Sequence, residues 1–290
     1  MSVLENIRHL TDEPMREHTT FRVGGPAKCL FLPKDVKEIK AVIDYCKENK
    51  VKYYILGNGS NVLFSDEGFD GYIIQIYSQF NSIDVQDGLI YAQAGALLSR
   101  IAMTARNESL TGLEFAAGIP GTLGGAIVMN AGAYDGEMKD VVEYVDILDS
   151  GEVKRFTGSE MDFGYRHSIV KGDMVVLGAA LRLRPGVQSE IDELMQRLRL
   201  ARTSKQPLEY PSAGSTFKRP EGYFAGKLIE DSGLKGYRVG DAMVSEKHCG
   251  FVINVGNATS KDIVTLIDDV KNTVNEKFGV VLEPEVKIIR

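Results

Sequence analysis

Two glycine-dense stretches constrain this chain more than anything else in it: Gly57-Asn58-Gly59-Ser60-Asn61-Val62-Leu63, and Gly118-Ile119-Pro120-Gly121-Thr122-Leu123-Gly124-Gly125-Ala126, the latter followed by Asn130-Ala131-Gly132-Ala133-Tyr134. Glycine is costly inside helices and strands, so such runs mark turns in which the bare backbone comes close to something else. The chain holds 30 glycines, where an average composition of about 7% would give roughly 20. The first cluster directly follows a β-branched and aromatic run, Val51 to Leu56, as a dinucleotide loop would. A Rossmann fingerprint, however, needs a third glycine where Val62 stands and an acidic residue about twenty positions on, which Asn81 and its neighbours do not supply. Successive small residues still expose backbone N–H groups that can cradle a diphosphate, with Asn58, Ser60 and Asn61 adding side-chain donors. Taken singly, the cluster reads equally well as a strand-ending turn. Two such cradles in one lobe point to one diphosphate cofactor.

Periodicity gives the frame around the clusters. Thr19 to Ala27 reads as a strand ending in a turn. Pro33 to Lys50 reads as a helix with Val36, Ile39, Val42, Ile43 and Cys46 on one face, and Val51 to Leu56 as the strand that completes a βαβ-like unit. Short strands follow at Tyr72 to Ile76 and Leu89 to Ala92, then a helix over Leu97 to Asn107. Beyond the glycine-rich centre, strands are expected at Val141 to Leu148, Val153 to Phe156 and Met174 to Leu183, and Pro185-Gly186 marks a boundary. Ser189 to Arg202 has helical spacing. The last helix opens on a capping box, Thr259 with Asp262, carries Ile263, Leu266, Ile267, Val270, Val274 and Phe278 on one face, and stops at Gly279.

A net charge of −6 argues against nonspecific nucleic-acid binding, which needs a basic field to displace counterions. No run approaches the roughly 18 apolar residues that cross a bilayer, and Met1 to Lys34 lacks the order of a signal peptide. A cytoplasmic protein, with neither nucleic acid nor membrane as partner, is expected, and a monomer. Cys29, Cys46 and Cys249 show no CxxC spacing, and His9, His18, His167 and His248 no ligand spacing, so neither a disulfide framework nor a metal site is proposed.

The paired clusters resemble the flavin-binding domain of the vanillyl-alcohol oxidase group over roughly residues 20 to 185. The wording is closer still to the UDP-N-acetylenolpyruvoylglucosamine reductase family, carried by Thr20-Phe21-Arg22-Val23-Gly24-Gly25, Gly57 to Leu63, Gly118 to Gly121, Phe163-Gly164-Tyr165-Arg166-His167-Ser168, Ala213-Gly214-Ser215-Thr216-Phe217-Lys218 and Leu282-Glu283-Pro284-Glu285-Val286. Each motif is weakly specific alone; six in the family's order span nearly the whole chain. The resemblance implies an α+β protein: a two-subdomain FAD-binding fold of the vanillyl-alcohol oxidase/PCMH type, residues 1–78 (joined by a C-terminal strand, 284–290) and 79–186, followed by an α+β substrate-binding domain, 187–283.

The family's reaction is NADPH-dependent, FAD-mediated reduction of an enolpyruvyl ether to a lactyl ether on a UDP-sugar in peptidoglycan precursor synthesis. That chemistry asks for a cation and an acid near the substrate carboxylate and a proton donor over the α carbon. By motif position, Arg166 is the bidentate cation, Glu285 polarises the carboxylate if burial keeps it protonated, and Ser215 is the proton donor, weak enough as an acid to need help from neighbours or water. The cofactor-binding set is Gly57, Asn58, Gly59, Ser60, Asn61, Gly118, Ile119, Pro120, Gly121, Thr122, Gly124 and Gly125. Tyr165, Lys218, Arg219, Lys227 and Lys235 form the substrate-binding set, the cations suiting a diphosphate. From Arg166 to Ser215 is 215 − 166 = 49 positions, as in the family's shorter branch, which lacks a lid segment with a substrate-contacting tyrosine; Arg219 stands where the longer branch has an asparagine. The alternative within the fold group is an FAD-linked sugar or alcohol oxidase. Such oxidases often tether flavin through a histidine, and none lies in either glycine cluster, so the flavin is expected to be non-covalent. A flavin-binding module without turnover is a third reading, against which Arg166, Ser215 and Glu285 argue.

Overall fold

The computed structural model describes residues 4–290; residues 1–3, at the head of the segment read for a leader and of the 1–78 subdomain, lie outside the described residues. The chain forms two compact units, one of residues 4–10, 30–58 and 71–202, the other of residues 11–29, 59–70 and 203–290.

In the first unit, helix α1 (Val36–Glu48) starts where Asp35 accepts the Glu38 backbone N–H at 2.8 Å, and it buries Ile39, Val42, Ile43 and Cys46. The cap explains why the helix begins three residues after Pro33, since an Asp side chain satisfies a donor that no earlier turn can reach. It leads into strand Tyr53–Leu56, which pairs in parallel with Phe69–Gln75, Tyr53 opposite Tyr72 and Leu56 opposite Gln75. A five-stranded antiparallel sheet follows, in the order Glu152–Thr157, Val142–Asp149, Val175–Arg182, Leu89–Gln93, Ile83–Gln86. Its central strand, Val175–Arg182, is buried along seven of eight residues, which is why it reads as a continuous apolar run. Helices α2 (Leu98–Asn107) and α3 (Leu123–Val128) both contact strand Leu89–Gln93. Helix α4 (Gln188–Lys205) follows the sheet.

The second unit buries Phe21, Leu63, Phe217, Ile229, Val252 and Val286 around the apolar face of its last helix. Helices α5 (Ala225–Asp231) and α6 (Ser260–Phe278) pack on each other, and α6 also contacts the hairpin strands Arg238–Val239 and Ala242–Val244. The α6 capping box forms as the sequence indicates: Thr259 accepts from the Asp262 N–H at 3.0 Å and Asp262 from the Thr259 N–H at 2.9 Å, and Gly279 ends the helix at φ 66°. Asp66, from a distant loop, takes the Ser260 and Lys261 N–H groups at 2.7 and 3.0 Å. Phe278 is 41% exposed, so the apolar stripe ends at Val274.

Residues 19–25 are not the strand expected there. Arg22 has φ 56° and Gly24 φ 130°, and the Arg22 N–H turns back to Thr19 O at 3.2 Å. A side chain at Gly24 would stand 2.8 Å from Phe64 Cβ. The strand begins only at Pro26 and runs Pro26–Phe31. All three cysteines are buried and lie outside any disulfide, and burial pushes Cys29 up to about 11, which leaves it little thiolate at neutral pH.

Because Asp66 accepts two of the N–H groups that α6 cannot satisfy itself, Asp66→Ala is expected to lower stability by about 1–2 kcal/mol. The check is a shift of the urea midpoint to lower denaturant with unchanged slope; an unmoved midpoint contradicts the assignment.

Candidate functional site

The first glycine cluster divides between the two units, Gly57 and Asn58 in one and Gly59 to Leu63 in the other. Within the first unit the two clusters meet. Asn58 Nδ2 donates to Pro120 O at 2.6 Å, and a methyl group on Gly57 would stand 2.4 Å from Thr122 Oγ1. Gln75 Nε2 holds Gly57 O from behind at 3.2 Å. Gly121 O accepts the Leu98 N–H at 3.0 Å, and the Leu123 and Gly124 N–H groups reach Ala96 O and Ala94 O, each at 2.8 Å. A side chain on Gly124 would press on Ala94 Cβ at 3.1 Å. Gly124 therefore serves close packing, its N–H already engaged. Thr122 is the N-cap of α3, accepting from Gly125.

Asn130, fully buried with φ 42°, organises the loop beyond α3. Its Nδ2 donates to Glu137 Oε2 at 2.9 Å and Gly164 O at 3.0 Å, and its Oδ1 accepts the Lys139 N–H at 2.9 Å. Gly164 and His167 exchange two backbone hydrogen bonds, 3.1 and 3.2 Å, which puts Tyr165 and Arg166 at the tip of a tight turn. Arg166 has φ 55°, and its guanidinium carbon lies 5.1 Å from the Tyr165 ring centre. The Lys139 hydrogen bond first, then that of Asn130 and the charge of Arg166, hold the Glu137 carboxyl below the usual carboxylate range. Asn130 stands in the glycine-rich motif but carries no local signature of this role; only its burial shows it.

In the second unit, Gly59 takes φ 64°, and a side chain there would collide with His18 O at 2.0 Å; its own O accepts the Thr20 N–H at 3.1 Å. Ser60 is partly buried. Asn61 Nδ2 donates to Glu285 O at 3.3 Å, and strand Lys287–Ile289 pairs in parallel with Val62–Phe64. Thr216 joins three segments: its N–H donates to Gly250 O at 2.9 Å, its Oγ1 accepts the Val252 N–H at 2.9 Å, and its O accepts the Glu285 N–H at 2.8 Å. Ser215 is thereby exposed beside the segment that carries the half-buried Glu285. Gly214, at φ 74°, has open space around it. Lys218 pairs with Glu283, Lys227 with Asp231 at 2.5 Å and Lys235 with Glu230 at 3.5 Å. Arg219 lies over the Phe224 ring at 4.0 Å. His248 is a satisfied histidine whose Nδ1 accepts the Gly250 N–H at 3.0 Å.

Joined glycine turns on a mixed α and β frame define a flavin-binding class, and residues 27–157 match the model of an FAD binding domain. Residues 206–289 match the UDP-N-acetylenolpyruvoylglucosamine reductase, C-terminal domain. The chain is 53% identical to the UDP-N-acetylenolpyruvoylglucosamine reductase of Alkaliphilus oremlandii, covering 97% of this chain and 93% of that one, and 51% identical to that of Clostridioides difficile, covering 96% and 92%. A crystal structure of the reductase from Thermus caldophilus superposes with a TM-score of 0.85 at 35% identity, covering 98% of this chain and 99% of that one. The chain belongs to the UDP-N-acetylenolpyruvoylglucosamine reductase family. Its fold is α+β, an FAD binding domain followed by the C-terminal α+β domain of the reductase family.

The contact between Gly57 and Thr122 yields a test. Gly57→Ala is expected to destabilise the protein by about 1–3 kcal/mol through overpacking and to lower the FAD retained on purification. Thr122→Ala in the same chain removes the colliding oxygen and should restore part of both. Full flavin content and an unchanged midpoint in Gly57→Ala would contradict the close approach.

Proposed function

We propose that the protein reduces UDP-N-acetylglucosamine enolpyruvate to UDP-N-acetylmuramate in peptidoglycan precursor synthesis, with non-covalent FAD and with NADPH as reductant. The observation that carries the reading is identity above 50% with reductases of that name over nearly the whole of both chains. In this reading residues 1–78, joined by 284–290, and 79–186 are the two FAD-binding subdomains, and 187–283 bind the substrate. The protein works as a cytoplasmic monomer without nucleic acid; among the described residues no helix is long and apolar enough to cross a membrane.

The residues fit the cofactor, because the close approach of Gly57 to Thr122 makes a bare-backbone turn that a side chain would fill. Gly57, Asn58, Gly59, Ser60 and Asn61, with Gly118, Ile119, Pro120, Gly121, Thr122, Gly124 and Gly125, would hold the FAD, Gly124 by packing. When bound, FAD supplies the hydride that NADPH surrenders. The substrate double bond gains hydride at its methylene carbon and a proton at its α carbon, and negative charge delocalises into the carboxylate between the two events. Arg166 grips that carboxylate with two parallel donors, and Tyr165 beside it adds a face for the substrate. Glu285 polarises the same carboxylate. Ser215 delivers the proton to the α carbon. Lys218, Arg219, Lys227 and Lys235 attract the UDP diphosphate; those with carboxylate partners must release or share them to do so.

Two variants test this assignment. Arg166→Lys keeps the charge but not the planar fork, so kcat should fall by roughly tenfold or more; wild-type turnover would return Arg166 to a structural role. Ser215→Ala should leave anaerobic flavin reduction by NADPH within a few-fold of wild type while slowing reoxidation by the enolpyruvyl substrate by roughly 10²–10⁴. Equal slowing of both half-reactions would mean displaced flavin, and a loss confined to affinity would make Ser215 a binding group.

A further inference from the structure

Three arginines of the first unit meet carboxylates. Arg155 meets Asp146 with two donors at 2.8 and 2.9 Å, Arg182 meets Glu143 at 2.7 and 3.0 Å, and Arg106 meets Asp192 at 2.5 Å. Arg202, on the last turn of α4, differs from these. It is partly buried, and among the described residues no carboxylate pairs with it. Burial lowers its pKa, where carboxylates raise those of Arg155 and Arg182. Its side chain lies on Gly118, where a methyl group would stand 2.9 Å from Cδ, 3.0 Å from Nη1 and 3.5 Å from Cζ. The Tyr134 phenol lies near enough to bear on its charge.

A cation withdrawn from water without an anion is unfavourable, and structures keep such a charge where a ligand completes it. Gly118 opens the second glycine turn, the turn that Asn58 ties to the first through Pro120 O. Glycine at 118 leaves the guanidinium room to lie on the backbone of that turn. A guanidinium offers five donors in a flat fork that matches phosphate oxygens in pairs, and desolvation shifts its charge less readily than that of a lysine. We propose that Arg202 is a cofactor-binding residue whose guanidinium, laid on Gly118, pairs with the diphosphate of FAD. The inference rests on the FAD reading and adds a charged ligand to a cradle otherwise made of backbone and neutral side chains.

The test compares apoproteins of wild type, Arg202→Gln and Arg202→Lys, titrated with FAD and with riboflavin, which lacks phosphate, by quenching of flavin fluorescence. Arg202→Gln should bind FAD at least tenfold more weakly, with riboflavin affinity within twofold of wild type, and Arg202→Lys should fall between. The FAD affinity of wild type should also weaken with salt more steeply than that of Arg202→Gln. Without a counterion the buried charge is unfavourable, so apo Arg202→Gln should melt at the same temperature as apo wild type or above it. A lower apo melting temperature would assign Arg202 a structural role, unchanged FAD affinity would remove it from the site, and an equal loss for riboflavin would move its contact away from the diphosphate. If wild type itself bound no FAD, the FAD reading would fall before the question of Arg202 arose.

Discussion

The 2.6 Å hydrogen bond from Asn58 to Pro120 O, with the bare Cα of Gly57 against Thr122 Oγ1, is the constraint on which the rest of the site depends. It joins two turns 62 residues apart and fixes the facing edge of each. Every neighbouring device keeps these turns from relaxing. Gln75 holds Gly57 O, Leu98 holds Gly121 O, and the Leu123 and Gly124 N–H groups are bound to the Ala94 to Ala96 segment. Backbone positioned this tightly can meet a diphosphate without reorganising, which is what makes a preorganised cradle bind.

Much of the frame was legible because its signals are local. Thr259, Asp262 and Gly279 mark the ends of α6 by their own chemistry, and the apolar spacing of Ile39, Val42, Ile43 and Cys46 belongs to a face that packing then buries. The reading failed where tertiary contact overrides local preference. Residues 19–25 look extended, yet Arg22 and Gly24 have positive φ: the Arg22 N–H turns back to Thr19 O, and Phe64 leaves no room for a side chain at Gly24. Phe278 continues the spacing of α6 but extends past the surface that the helix covers. In the site, glycine clusters announce themselves, whereas their meeting does not, since nothing in the sequence of Asn58 names Pro120. Asn130 and Arg202 went unassigned for a related reason: an asparagine or arginine carries no spacing, and its burial appears only when the chain is folded.

Charge in this acidic chain is organised by pairing. Lysines 218, 227 and 235 each face a carboxylate, and such exposed pairs contribute little to stability while remaining available for exchange with a ligand. Arg202 is the contrary case, half desolvated and, among the described residues, paired with no carboxylate. The difference separates cations that a solvated substrate can recruit from one that a tightly held cofactor would complete. Thr216 supplies the corresponding rigidity in the second unit, since it binds Gly250, Val252 and Glu285 through three different atoms and leaves Ser215 exposed beside them.

The central claim, that the flavin passes its electrons to an enolpyruvyl UDP-sugar, is tested most directly by counting them without oxygen. Wild-type protein reduced anaerobically with one equivalent of NADPH is mixed with UDP-N-acetylglucosamine enolpyruvate while flavin absorbance is followed. The account predicts that oxidised flavin returns fully in the absence of oxygen, with one lactyl ether formed per flavin. Flavin that stays reduced with this substrate and recovers only when oxygen is admitted would contradict it, and would favour the oxidase reading instead.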